Sequence, residues 1–420
     1  MTLFLLIFFL LYGSMHLYVF LKAKTALAFN MQASICAAVF MLIMISAPFI
    51  VRFSEKAGFE LFARFMSYLG YTWLGVLFLF ISLSLVLDVY RFCIYSGEVI
   101  MNKDFSYLAI PNSYAFFICL SLAILIAIYG YFEAKNIRIE TLIIRSPKIP
   151  SEIGRLRIVQ ISDVHLGLIM REERLKRILG EVKNADPDIL VSTGDLVDGQ
   201  IDNLSSLTEL LREINPRYGK FAVTGNHEFY AGLDQSLKFI KDAGFKILRG
   251  EHLDIPGLIT IAGIDDPQSK TYMPNRETDE RDLLLGLPQE KFTLFLKHRP
   301  FVEKHSTGLF DLQLSGHVHK GQIFPFSIIT GLYYQTHAGY TKLSNGSQIY
   351  VSRGAGTWGP PIRFLSPPEV TVIELVHSDT QAKAESTGDD RIPVSPLSRG
   401  DYPHSGGFAE AKGVCKLFCL

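Results

Sequence analysis

The chain has 420 residues, of which 41 are basic and 41 acidic, so its formal net charge is zero. That balance excludes a global electrostatic footprint for nucleic acid. The length leaves room for roughly two to three domains, and with 49% hydrophobic residues and a mean hydropathy of +0.24 the apolar excess sits almost entirely before residue 135.

Four stretches in that first part are long and uncharged enough for a bilayer core, which takes ~20 residues of helix: Leu3–Leu21, Met31–Val51, Tyr71–Leu87 and Tyr114–Tyr131. Ala26-Leu27-Ala28 resembles a small-residue cleavage site. The start MTLFLL lacks a positive n-region, its apolar core is too long for a signal, and three more stretches follow, so an uncleaved first helix is expected. Four spans put both termini on one side. Lys22, Lys24, Arg91 and Lys103 then oppose Arg52, Lys56, Arg64, Lys135, Arg138, Arg145 and Lys148, which places the C-terminal domain in the cytoplasm by the positive-inside rule. His16 is the clearest ionisable residue inside a span. Cys36 and Cys119 fall in spans, Cys93 in a loop, and Cys415 and Cys419 at the end, leaving no cysteine in 135–414.

The expected division is a four-helix transmembrane region over 1–134, a linker over 135–154, a folded domain over 155–376 and a disordered tail over 377–420. Short apolar runs in the domain read as buried strands: Leu156–Ser162, Asp188–Thr193, Lys220–Thr224, Leu258–Ala262, Phe292–Lys297, Leu312–Leu314, Gln348–Ser352 and Val370–Leu375. Helical spacing covers Arg171–Lys183 and Leu204–Ile214, and Asp234–Ala243 ends before Gly244, a C-terminal stop. This alternation predicts a layered α/β domain with two sheets. The tail is rich in Ser, Thr, Gly, Pro, Asp and Lys, a composition that cannot build a core.

Polar residues come after the strands in a regular way. After the first stands Asp163-Val164-His165 in "ISDVHLG", after the second Asp195 in "STGDLVDG", and after the third Asn226-His227 in "VTGNHEF". His298 closes "FTLFLKHRP", and His317 and His319 stand in "LSGHVHKG". Singly each block is weak, because short motifs match by chance and a lone histidine usually packs or faces solvent. Together they place carboxylate, amide and imidazole donors at the ends of separate strands, where α/β folds bind ligands. Without thiolates the set suits Mn, Fe, Zn or a similar first-row ion. Seven ligands are too many for one open site but fit two ions sharing a carboxylate, ~3.5–4 Å apart. The glycines before Asp195, Asn226 and His317 are expected to let the backbone turn sharply.

The order D-x-H, G-D, G-N-H, lone His, G-H-x-H resembles the calcineurin-like metallophosphoesterase family over about 155–375. "RGAGTWGPPIRFLSPPEVTVIEL" and the amino-terminal spans look like its membrane-anchored branch. The resemblance implies a four-layer α/β/β/α sandwich of two sheets beside the membrane helices, and two divalent cations of the Mn, Fe or Zn class. It further implies that Asp163, His165 and His319 hold one ion, that Asn226, His298 and His317 hold the other, and that Asp195 bridges them. His227 would protonate the leaving oxygen, with Glu228 orienting it, in the hydrolysis of a phosphomonoester or phosphodiester. Trp358, among the aromatics after residue 320, and Arg353 are candidate substrate contacts, and anchorage suggests a lipid-linked phosphate. The competing readings are a transporter or receptor whose domain binds without turnover, and a nuclease.

Overall fold

In the computed structural model, which describes residues 2–199, 205–273 and 278–378, the chain opens with four long helices. These are α1 (Thr2–Leu27), α2 (Met31–Lys56), α3 (Glu60–Met101) and α4 (Asn112–Glu133). All four are long and apolar enough to cross a membrane. Their apolar stretches match those expected from sequence, but α3 continues past its apolar part to a total of 42 residues, about 63 Å of rise. Cys93, expected in a loop, therefore lies within α3. The polar extension is held by contacts invisible to local hydropathy: Asp88 accepts from Tyr18 Oη at 2.7 Å and pairs with Lys22. His16 is satisfied at both nitrogens, 2.8 Å from the Tyr12 carbonyl and accepting from Trp73 Nε1 at 2.8 Å.

The domain carries two six-stranded sheets. The first contains β1 (Arg138–Ser146), β2 (Arg155–Ile161), β3 (Ile189–Ser192), β4 (Lys220–Ala222), β5 (Lys246–Ile247) and the last strand, β12 (Glu369–His377), in the order β1-β12-β2-β3-β4-β5. The second contains β6 (Glu251–Asp254), β7 (Ile259–Gly263), β8 (Phe292–Leu296), β9 (Leu312–Ser315), β10 (Gly339–Lys342) and β11 (Gln348–Val351), in the order β10-β11-β9-β8-β7-β6. Helices α5 (Glu172–Ala185), α6 (Ser205–Arg212), α7 (Asn226–Ala231) and α8 (Leu233–Asp242) come after strands of the first sheet. Helices α9 (Ser269–Tyr272), α10 (Glu280–Leu285) and α11 (Phe326–Tyr333) belong to the second half.

Ile158, Val191 and Phe221 of the first sheet meet Ile261, Leu294 and Leu312 of the second in one core. The outer face of the first sheet packs on Leu175, Ile178 and Leu211 of α5 and α6, and the outer face of the second on Leu284 of α10. This is the four-layer sandwich. Strands covered on both faces lose polar alternation, which is why β3, β7, β8 and β9 are buried at every residue.

The segment 135–154, expected as a linker, is corrected by the structure. Its residues 138–146 form β1, paired in parallel with β12 from Arg138↔Glu369 to Ser146↔His377. Juxtamembrane charges mask the strand in sequence, and its partner lies more than 200 residues away. Only residues 134–137 separate α4 from β1. The bundle and the domain also share a core, since Ile323 and Ile362 pack with Leu77 and Ala127. The expected tail falls outside the described residues from 379 onward.

Candidate metal centre

Each polar block sits just past the end of a strand. Asp163 and His165 follow β2, Asp195 follows β3, Asn226 and His227 follow β4, His298 follows β8, and His317 and His319 follow β9. The sheets bring all eight together and bury them. Five of them hold left-handed φ angles: Asp163 (52°), His165 (55°), Asp195 (51°), His317 (71°) and His319 (48°). Such backbone costs on the order of 1–3 kcal/mol per non-glycine residue and persists only where its surroundings enforce it. The glycines act in two ways rather than the single way expected. Gly194 takes φ +96°, whereas Gly225, without a positive φ, lets the Asp195 loop approach, because a Cβ there would stand 2.6 Å from the Asp195 amide nitrogen. Gly316 plays the same close-approach part beneath Ser162 and Asp163.

Donor atoms converge in three overlapping groups: Asp163, His165 and His319; His165, Asp195 and His227; and Asp195, His298 and His317. Within each group they lie within 4.8 Å of one another. His165 Nε2 and His319 Nε2 face each other at 3.0 Å, and His298 Nε2 stands 3.2 Å from both Asp195 Oδ2 and His317 Nδ1. The His298 ring is oriented by its Nδ1, which lies 2.8 Å from the Thr193 carbonyl and so leaves Nε2 facing the cluster. Both amide atoms of fully buried Asn226, and Nε2 of His317, have no hydrogen-bond partner. A buried amide without partners is costly unless something else satisfies it. A cation at Asn226 Oδ1 fits that need.

Electrostatics divide the imidazoles into two pairs. Burial, aided by Arg299 at His317 and by Arg363 at His319, holds both imidazoles well below their ordinary range, in the neutral form that donates to metal. Burial opposes charge on His227 and His298 too, but Asp195 outweighs it, with Asp198 also acting at His227, raising them to about 9 and about 10. Asp195 is held well below the usual carboxylate range: burial works against its charge, and His298 and His227 more than compensate.

Several residues that sequence reasoning missed complete the centre. Asp198, the second acid of "GDLVDG", contacts His227 Nδ1 through its carbonyl at 3.0 Å and through its carboxylate at 3.1 Å, and lies 3.3 Å from His165 Nδ1. Glu228, expected to orient His227, instead accepts from the amides of Gly225, Asp195 and Leu196 at 2.6, 3.0 and 2.8 Å, pinning the Asp195 loop. Arg363, fully buried, stands 3.0 Å from His319 Nδ1 and donates to the carbonyls of Arg353, Gly356 and Ser366. A cavity of about 120 Å³ opens over the cluster, lined by His227, His317 and Trp358 among others. Gln322 fixes the Trp358 loop, donating to the Trp358 and Pro360 carbonyls and accepting from the Trp358 amide at 2.8 Å. Arg353 lies elsewhere, paired with Glu140 of β1 and, at 2.6 Å, with Glu369 of β12.

Residues 156–321 match the family described as calcineurin-like phosphoesterase. An uncharacterized metallophosphoesterase of Aquifex aeolicus is 42% identical over 255 residues, covering 60% of this chain and 97% of its own length. The chain belongs to the metallophosphoesterases. As the family implies, this one is a metal-dependent phosphoesterase. An uncharacterized metallophosphoesterase of Campylobacter jejuni is 32% identical over 78% of this chain and 88% of its own. The metallophosphoesterase also resembles a zebrafish transmembrane protein with metallophosphoesterase domain, 32% identical over 61% of this chain and 62% of that one. A 5′-nucleotidase precursor structure from Thermus thermophilus aligns at 15% identity with a TM-score of 0.31, over 53% of this chain and 54% of its own. Four apolar helices and the transmembrane relative support membrane association.

Proposed function

We propose that this metallophosphoesterase is a multi-pass membrane protein that hydrolyses a phosphomonoester or phosphodiester at a two-cation centre. The convergence of three donor groups that share Asp195 or its neighbours carries the reading. Asp163, His165 and His319 would hold one cation, Asn226, His298 and His317 the other, and Asp195 both. Bound dications of the Mn, Fe or Zn class would neutralise phosphate charge and supply a strong nucleophile near neutral pH.

The chain's own groups do the rest. Asp198 fixes the His227 ring through Nδ1, and the neighbouring carboxylates keep the imidazole protonated, so Nε2 can deliver a proton to the departing oxygen. Such general acid help supplies typically ~10²–10⁴-fold. Glu228 holds the bridging loop in register. Trp358 offers an apolar contact to the substrate, while Arg353 locks β1 to β12. The excess of Lys and Arg beside the domain end of the helices supports a cytoplasmic domain, and a reporter fused after β12 tests that side.

The deciding assay uses metal-stripped full-length protein resupplied with Mn, Zn, Fe or Mg, scored on a panel of monoesters, diesters and oligonucleotides. Two bound ions per chain with turnover of a phosphoester supports the proposal. Binding without turnover points to the receptor reading, turnover of oligonucleotides alone to the nuclease reading, and one ion per chain removes the shared carboxylate.

A further inference from the structure

The cavity over the donor cluster has a wall that belongs to the helix bundle. Leu74 and Phe78 of α3 line it together with Ile323, Phe326 and Trp358. The uncharged stretch of α3 runs from Phe65 to Leu87. At 1.5 Å per residue it is about as long as a ~30 Å hydrocarbon core is thick, and Leu74 sits about 15 Å inside it from Arg64. With α3 spanning a bilayer, one side of the candidate active site would lie at bilayer depth.

Helix α11 continues that wall. Phe326 packs its ring 6.3 Å from the ring of Phe78, and Thr330 faces the cavity. The opposite face of α11 presents Ile328, Ile329 and Leu332 outward, the last 85% exposed. A helix that closes a cavity with one face and shows Ile328, Ile329 and Leu332 on the other, beside a helix apolar enough to cross a membrane, suits lipid better than water.

Away from the histidine and carboxylate end the cavity offers little to a polar ligand. None of the described side chains lining it is Lys or Arg. Of its other polar groups, Gln322 is engaged with the Trp358 loop and Thr330 Oγ1 with the Ser327 carbonyl at 3.1 Å, and the Tyr334 phenol and the Trp358 indole also line it. A phenol and an indole beside Leu74, Phe78, Ile323 and Phe326, with no Lys or Arg among the described lining residues, are a poor match to the polyhydroxylated or charged half of a nucleotide or sugar phosphate. An alkyl chain fits it by surface alone.

We propose that the substrate is a membrane lipid carrying a phosphoester, its phosphate at the donor cluster and its chain leaving between α3 and α11 into the bilayer. This rests on the phosphoesterase reading above and adds the substrate class to it. P–O hydrolysis then consumes water and leaves the lipid part in the membrane, so a membrane-bound lipid phosphorylation or headgroup-transfer reaction must supply the substrate.

The test uses the full chain in phosphatidylcholine nanodiscs, metal-loaded, with paired probes that differ only in tail length. Hexadecyl and ethyl p-nitrophenyl phosphates serve as diesters, and hexadecyl and ethyl phosphates as monoesters. Within the ester type that is turned over, kcat/KM for the hexadecyl probe should exceed that for the ethyl probe by about tenfold or more, since even one methylene in an apolar pocket discriminates at that scale. A ratio within about twofold of unity overturns the lipid assignment and leaves phosphoesterase activity standing. Absence of turnover for all four probes overturns both. Leu74→Trp and, from the other wall, Thr330→Trp should each shrink the ratio, with the ethyl probe reporting the state of the metal centre; an unchanged ratio in both rejects the route. Benzoylphenylalanine at Leu332 should crosslink to lipid, whereas an adduct with a second copy of the chain overturns the bilayer contact.

Discussion

In the helix bundle Leu42 is 63% exposed while Ala63 and Ala123 are fully buried; between the two sheets Leu294 and Ile259 are fully buried while charged side chains such as Glu173 and Lys238 face outward. Beside buried Leu77, Leu79 and Phe80, small residues make close helix contacts in the bundle, as at Gly70, where a Cβ would come within 2.7 Å of Ala47 Cβ. The inversion arises from the solvent. Lipid gives no reward for hiding leucine, so close backbone approach and shape decide the helix contacts; water rewards burial by roughly 25 cal/mol per Å², so the sheets decide theirs by apolar area. The two regions meet at the cavity over the donor cluster, which α3 lines together with α11 and the histidines.

The contrast can be tested from its strongest element downward. Asp195→Asn removes the shared carboxylate, and kcat/KM should fall on the order of 10⁴-fold; restoring metal should rescue chelated wild type but not the variant, and unchanged turnover would end the two-cation reading. His227→Gln should lower kcat by roughly 10²–10³-fold with metal content, measured by atomic emission, unchanged. Loss of metal instead would make His227 a ligand.

Leu294→Ala, buried between the sheets, should cost about 2–5 kcal/mol, read as a lower unfolding midpoint of the domain. Gly130→Leu pushes a side chain against the Arg363 carbonyl, 2.8 Å from where the Cβ would sit. It should cost about 1–3 kcal/mol and, by limited proteolysis, uncouple the bundle from the domain before the domain itself unfolds. Leu42→Ala, on the lipid face, should shift stability by less than about 0.5 kcal/mol in detergent. A large loss there would mean that this face is covered by protein, and the contrast between the two regions would fail at that point.

The convergence of the donors was legible because each follows a strand, and the glycines before Asp195, Asn226 and His317 mark three of the turns. What stayed hidden is non-local. β1 reads as a charged juxtamembrane segment until β12 supplies its partner. Arg363 lies in an ordinary-looking "PIRFL", and only folding brings it against His319. Asp198 was in view inside "GDLVDG", but two acids three residues apart do not say which one meets His227. The depth of Leu74 relative to the catalytic cavity is a tertiary fact with no signature in α3 alone.

The joint between α4 and β1 is four residues long and flanked by shared packing, which ties the domain closely to the helix bundle. On the proposed lipid substrate, a reaction centre fixed at one height would search a plane instead of a volume. Its rate would then respond to how many target molecules occupy each patch of surface, and diluting the sample with buffer should matter far less than diluting the surface with inert amphiphile.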